Sequence, residues 1–386
     1  MNNKKALKNF IILLIIISVI FSFVLFNNEK KQSALPEFVL LEKPNTNFMQ
    51  AVEQRDFVFP KDFGKHEEFQ TEWWYYTGNL FDENGRHFGY QLTFFRRAIS
   101  QNDLTNRNSN WATNQIYLAH FSLTDSLNER HFQKEIMARG ALELAGTQID
   151  NLFRVWLYEW EVVQISENEF RLTASTDDYS INLNLEDLKK PIFHGTNGLS
   201  IKGDEPGNAS YYFSQTRLSS VGEIKIGEEV HTVKGLSWMD HEFGSNTLGA
   251  NQIGWDWFSL QLDDNQELML FQIRQNDNTI SDNSSGTYVN ADSTTKHLDI
   301  SQFDITVLDE WKTVDGFIYP SKWLIKIDDL DMELIVEPVI NQQENDFFFR
   351  YWEGAVKISG MMGDFNISGY GYVELTGYVL SMQGVF

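Results

Sequence analysis

From His66 onward the chain alternates apolar and polar positions in short runs, each closed by a cluster of turn-forming residues. Alternation with period two marks half-buried strands, because successive side chains on a strand point to opposite faces. The runs are rich in aromatic and β-branched residues and are separated by DENG (82–85), SENE (166–169), DDNQ (263–266) and DNSSG (282–286), which are hairpin and loop signals. Short helices are expected only at 126–145 and 184–190. The pattern as a whole predicts an all-β fold. One piece of it repeats. WWYYTGNLFDENGRHFGYQL (73–92) lies over GWDWFSLQLDDNQELMLFQI (254–273), with Trp74 on Trp255, Asp82 on Asp263, Asn84 on Asn265 and Gln91 on Gln272. Two β domains are therefore expected, 61–247 and 248–386, each opening on a similar hairpin. Glycines 369, 371 and 377 among the aromatics of GDFNISGYGYVELTGY (363–378) suit a strand that bends within a barrel. Two closed barrels or curved half-barrels would deal with the sheet edges.

Ahead of His66 the pattern differs. Residues 10–26, FIILLIIISVIFSFVLF, carry no charge. A run of that length just spans a bilayer as a helix, and Lys4, Lys5 and Lys8 before it favour a cytoplasmic N-terminus. A cleaved signal peptide is the competing assignment. Its apolar region is usually shorter, and NNEKKQSALPE contains no A-x-A site, so residues 1–26 are read as an uncleaved membrane anchor. Either way the folded part is exported, to the periplasm or the cell exterior. Residues 27–60 are polar, are broken by Pro36, Pro44 and Pro60 and keep no period. They are expected to form a tether.

Composition narrows the classes. The 386 residues, 42% hydrophobic and 14% aromatic, suffice for two packed cores. A net charge of −23 gives a surface that repels phosphate backbones, so nucleic acid is not an expected partner. The lack of cysteine excludes disulfides, thiolate metal sites and a cysteine nucleophile. No G-x-S-x-G elbow, P-loop or dinucleotide fingerprint is present. The standard serine hydrolases and nucleotide enzymes are thereby set aside, and no cofactor is expected.

Candidate chemistry sits in the second hairpin. In IGWDWFSLQL (253–262), Trp255, Trp257, Ser259 and Gln261 share one face, while Asp256, Phe258, Leu260 and Leu262 share the other. The second row is apolar except for its first member, so Asp256 is expected inside a barrel near one end. Burial raises a carboxyl's pKa, and an acid kept protonated near neutrality can serve as a general acid. Its bland counterpart is an aspartate that only accepts backbone or Trp N–H bonds. In SWMDHEFGS (237–245), Met239, His241 and Phe243 share a face opposite Trp238, Asp240 and Glu242. His241 is suited to proton transfer and is expected to converge with Asp256 at one mouth. It could equally be a hydrogen-bonded core histidine. Adjacent Asp240, His241 and Glu242 cannot all face one ion, and His66 with Glu67 and Glu68 has the same defect, so no metal site is expected. In TEWWYYTG (71–78), Glu72, Trp74 and Tyr76 share a face. They are further candidates for a ligand cavity, or plain core.

HEEFQTEWWYYTGNLFDENGRHFGYQLTFFR (66–96), SWMDHEFGS, GWDWFSLQLDDNQELMLFQIR (254–274), YWEGAV (351–356) and GYGYVELTGY (369–378) together resemble the lipocalin-like, AttH-like family of predicted secreted hydrolases. That family is similar to carotenoid 1,2-hydratase, also called hydroxyneurosporene synthase. The resemblance spans about residues 60–386 in order. It implies two tandem lipocalin-like β-barrel domains and an apolar isoprenoid or lipid-like substrate, with hydration of a double bond as the reaction. It implies an acid at Asp256, a nearby His241 and aromatic contacts from Trp255 and Trp257. No hydrolase motif supports the hydrolase name. A non-catalytic lipocalin-like carrier of an apolar ligand remains the alternative.

Overall fold

The computed structural model describes residues 47–101, 108–150, 152–246 and 248–383. The apolar run at 10–26 and the first part of the expected tether lie outside them. Among the described residues no helix is long and apolar enough to cross a membrane. Over the described residues the fold is all-β, with three short 3-10 turns (Lys61–Phe63, Ile300–Gln302 and Asp328–Leu330) as its only helical pieces. The helices expected at 126–145 and 184–190 are not formed. Arg130–Arg139 is a half-exposed edge strand instead, and Tyr179–Asp187 a regular inner one with every second residue buried.

Two sheets divide the chain. The first has 13 strands, running along its main path from Arg130–Arg139 through His87–Ala98, Thr71–Asp82, Glu229–Asn246 and Ala209–Ile226 to Ala145–Ile149. The second has 10, from Thr295–Asp299 through Glu267–Gln275, Gln252–Leu262, Phe365–Leu375 and Arg350–Met362 to Asp304–Lys312. Each curls on itself, because side chains from strands far apart in its order share one core. Trp74 and Phe88 meet Phe153 and Phe170 inside the first. Phe258 meets Trp323 edge-to-face at 5.6 Å inside the second.

The central hairpins are buried on both faces. One face fills a curled interior, and the other packs against the opposite sheet, as in the cluster of Tyr75, Tyr212, Trp238, Trp257, Phe271 and Tyr372. This doubles the burial expected from simple alternation. It also explains why Thr71–Asp82 and Gln252–Leu262 read as nearly unbroken aromatic runs. The sheets approach so closely at Gly89 that a Cβ there would stand 2.5 Å from the Cβ of Ala355. Glu267 of the second sheet accepts from Lys189 Nζ at 2.7 Å and from Arg217 Nε, both from the first-sheet half of the chain. Residues read as the end of a tether also pack here. Phe48 and Ala51 are buried and Phe57 and Phe59 lie on the first core, because four apolar side chains at that spacing gain more by burial than by solvation.

Candidate functional site

A cavity lies between the two sheets. The first hairpin contributes Trp73, Tyr75, Gln91 and Thr93, and the second Trp255, Trp257, Phe271 and Ile273. Asp240, Glu242 and Tyr212 come from the neighbouring first-sheet strands, Glu374 from Phe365–Leu375, and Phe95, Lys202 and Leu248 complete the wall. The space is about 80 Å³ as it stands. Pockets that hold drug-sized ligands run to hundreds of Å³, so a larger ligand requires the lining side chains to move apart.

The carboxyls decide what this cavity can do. Asp240 is buried, and burial pushes it up to about 7 against the hydrogen bonds that favour its charged form. Those bonds come from the Ser214 hydroxyl, from Trp238 Nε1 at 2.6 Å and from the Tyr212 hydroxyl at 2.7 Å. Trp257 Nε1 in turn donates to the Tyr212 oxygen at 3.0 Å. Glu374 is also pushed up to about 7 by burial, with Glu242 and Asp240 adding repulsion, and accepts from Trp255 Nε1 at 2.7 Å. Glu242 differs. It accepts from Ser210 and has Lys202 Nζ at 3.4 Å, and that ammonium sits 3.9 Å above the Phe271 ring. Two protonatable carboxyls thus face an ion pair across aromatic walls.

A polar chain runs away from Asp240. Ser214 Oγ is 2.6 Å from His194 Nε2, and His194 Nδ1 is 2.9 Å from Thr287 Oγ1 on the second sheet. Burial holds His194 well below the usual imidazole range, so it is neutral. The network is satisfied when Thr287 donates to Nδ1, Nε2–H donates to Ser214 and Ser214 donates to Asp240. Every bond then points its proton toward the aspartate.

The family follows from comparison. The family model for AttH-like proteins matches residues 50–378. The chain belongs to the AttH-like family. The crystal structure of an AttH from Nitrosomonas europaea is similar at 31% identity and TM-score 0.77, over 86% of this chain and 99% of that one. Kievitone hydratase from Nectria haematococca shares the fold at 15% identity and TM-score 0.65, over 87% of this chain and 97% of that one. No curated protein matches the sequence.

In this AttH-like protein the sequence-selected residues scatter. Trp255 and Trp257 line the cavity. Asp256 points to the opposite side, as alternation requires, and is held by Arg274 Nε at 3.0 Å and the Tyr378 hydroxyl at 3.0 Å. Burial raises it, but it does not line the cavity. His241 does not converge with it. His241 is inside the first sheet, its Nε2 2.9 Å from Glu72 Oε1. Glu72 also meets His66 Nδ1 at 2.7 Å and Arg96 Nε at 2.8 Å, and His66 Nε2 reaches Asp62 at 2.9 Å. The ligand atoms of His66, Glu72 and His241 lie within 4.8 Å of one another. The facing atoms are already engaged with each other and the Arg96 guanidinium opposes a cation, so this cluster reads as a staple closing the sheet end. Trp74 and Tyr76 fill the first core. The cavity-facing pairs are Trp73 with Tyr75 and Trp255 with Trp257, one residue off the overlay that matched Trp74 to Trp255. A one-residue shift moves every side chain to the other face.

The staple has its own consequence. Glu72→Gln is expected to cost about 3–5 kcal/mol, because it leaves buried Arg96 without its carboxylate. Arg96 and His66 hold the Glu72 carboxyl well below its ordinary range. Its contribution is therefore present above the unfolded pKa and fades as pH falls through the folded one. Urea midpoints of wild type and variant should converge on acidification.

Proposed function

We propose that this protein hydrates a carbon–carbon double bond of an apolar, isoprenoid-like small molecule bound between the sheets. The observation that carries this reading is a protonatable Asp240 set among Tyr75, Tyr212, Trp255 and Trp257, with donors fixed around it. An unactivated alkene is a poor base, so addition of water starts by proton transfer from an acid. Asp240 gives its proton to one alkene carbon, and the other becomes a cation. Aromatic faces stabilise that cation without reacting with it, and the ion-paired Glu242 adds a nearby negative charge. A water oxygen then forms the C–O bond, and the proton it releases restores Asp240. The family membership and the fold shared with a hydratase support the same chemistry. The uncharged run at 10–26 supports an exported protein held at a membrane, where apolar substrates dissolve.

The species that co-purify with wild type and with Asp240→Asn, read by native mass spectrometry from the producing cells, test the proposal. The variant is expected to hold a molecule one water lighter than the one on wild type. The same molecule on both would mean carriage without conversion. Asp256→Asn separates the two carboxyls. It is expected to destabilise by about 1–3 kcal/mol through its buried bonds to Arg274 and Tyr378, while conversion stays within a few-fold of wild type.

A further inference from the structure

Five buried polar atoms on facing strands of the two sheets have no hydrogen-bond partner among the described residues: both carboxyl oxygens of Glu353, the hydroxyls of Tyr75 and Tyr372, and Gln91 Oε1. They belong to one neighbourhood. Glu353 lies beside Tyr75 and Tyr351 without a well-formed hydrogen bond to either, and the Tyr351 hydroxyl is taken by His120 Nδ1 at 2.8 Å. Glu353 pairs across the ladder with Glu374, and Tyr372 is one step along the same face, opposite Ala355. The Tyr372 hydroxyl stands 3.3 Å from where a Cβ on Gly89 would be, and Gly89 is two residues from Gln91 on the same face. Tyr75 and Gln91 also line the cavity.

Native interiors leave very few polar atoms unpaired, and such a group is usually paired by ordered water or a ligand. Five together call for an occupant that both donates and accepts. Burial and the neighbouring Glu374 hold the Glu353 carboxyl well above its ordinary range. It therefore presents an O–H and an acceptor rather than a charge. The two phenols each offer one donor and one acceptor, and Gln91 Oε1 accepts. No cation stands among the four, and two neighbouring carboxyls disfavour an anion.

We infer that Glu353, Tyr75, Tyr372 and Gln91 form a binding site, opening off the cavity, for one small neutral hydroxyl group, supplied by water or by the ligand. This extends the hydration reading: there the occupant is the water whose oxygen forms the new C–O bond and whose released proton returns to Asp240.

The test is a high-resolution crystal structure of the full chain, ligand-free and soaked with geraniol, an isoprenoid alcohol with one hydroxyl. An ordered oxygen within hydrogen-bond distance of Glu353 and at least one of the other three is expected. Its presence in the ligand-free crystal assigns water, and its appearance only with geraniol assigns the ligand hydroxyl. Both support the site. The double variant Tyr75→Phe with Tyr372→Phe is expected to lose that density. No density in either crystal, with Glu353 bonded directly to the tyrosines, would overturn the inference, as would density unchanged in the double variant. None of these outcomes depends on turnover, so this site and the hydration reading fail separately.

Discussion

Asp240→Asn is expected to slow turnover by about 10²–10⁴ and yet to stabilise the fold above neutral pH. Loss of a general acid costs about 10²–10⁴ in rate, and asparagine keeps the shape while removing the transferable proton. The stability change has the opposite sign. The aspartate titrates near 3.8 when unfolded and at about 7 when folded. As pH rises past the lower value the unfolded chain ionises while the folded chain retains its proton, so wild type loses stability until about pH 7 and then levels. Roughly three pH units correspond to about 4 kcal/mol at the upper limit. Asparagine has no such penalty. Urea unfolding at pH 4 and pH 8 should show the variant near wild type at the lower pH and more stable at the higher one. A pH-independent difference would place the aspartate outside this account. Turnover of wild type should fall as pH rises through about 7, because the proton to be transferred is then lost.

The second large effect concerns how the sheets are held together. Glu267 is buried between Lys189 and Arg217, which also donate to backbone carbonyls of the second sheet: Lys189 Nζ to Asn265 at 2.7 Å and Arg217 Nη2 to Leu262 at 3.0 Å. Glu267→Ala leaves two buried cations without a carboxylate, and removing one member of such a group typically costs about 3–5 kcal/mol. Glu337→Ala is the matched control, since Glu337 meets Lys322 at 2.8 Å with both side chains partly exposed. It should cost under about 1 kcal/mol. Chemical denaturation read by tryptophan fluorescence separates the two, and equal effects would deny the clasp its role.

Much of the fold was legible from alternation. The turn clusters DENG and DDNQ close real hairpins, Thr71–Asp82 with His87–Ala98 and Gln252–Leu262 with Glu267–Gln275. The faces were also legible: Asp256 lies opposite Trp257, and His241 opposite Asp240, as period two requires. What alternation does not carry is which face meets the other sheet. In an ordinary half-buried strand one face is solvated, which would leave the apolar rows of His241 and Asp256 as the buried ones and the row of Asp240 and Glu242 in water. Here both faces are covered, and the carboxyls that line the cavity, Asp240 and Glu242, lie on the face that meets the other sheet. A signal was present. Trp238 shares the Asp240 row, Trp255 and Trp257 share a row with no charge, and Tyr351 shares the Glu353 row. Large aromatics beside carboxyls on a supposedly solvated face mark a second buried surface. Lys202, His194 and Glu374 come from distant segments, and only the packing of the two sheets brings them together.

The central claim is proton transfer to an alkene carbon from a cavity acid. The most direct test incubates the purified full chain with a lipid extract of the producing cells in heavy water and follows products by mass spectrometry. Wild type is expected to yield a species heavier than its precursor by one heavy-water molecule. One deuterium should survive exchange back into ordinary water, because it sits on carbon, and Asp240→Asn should form this product about 10²–10⁴ more slowly. A product with no carbon-bound deuterium, or equal yield from the variant, would contradict the account.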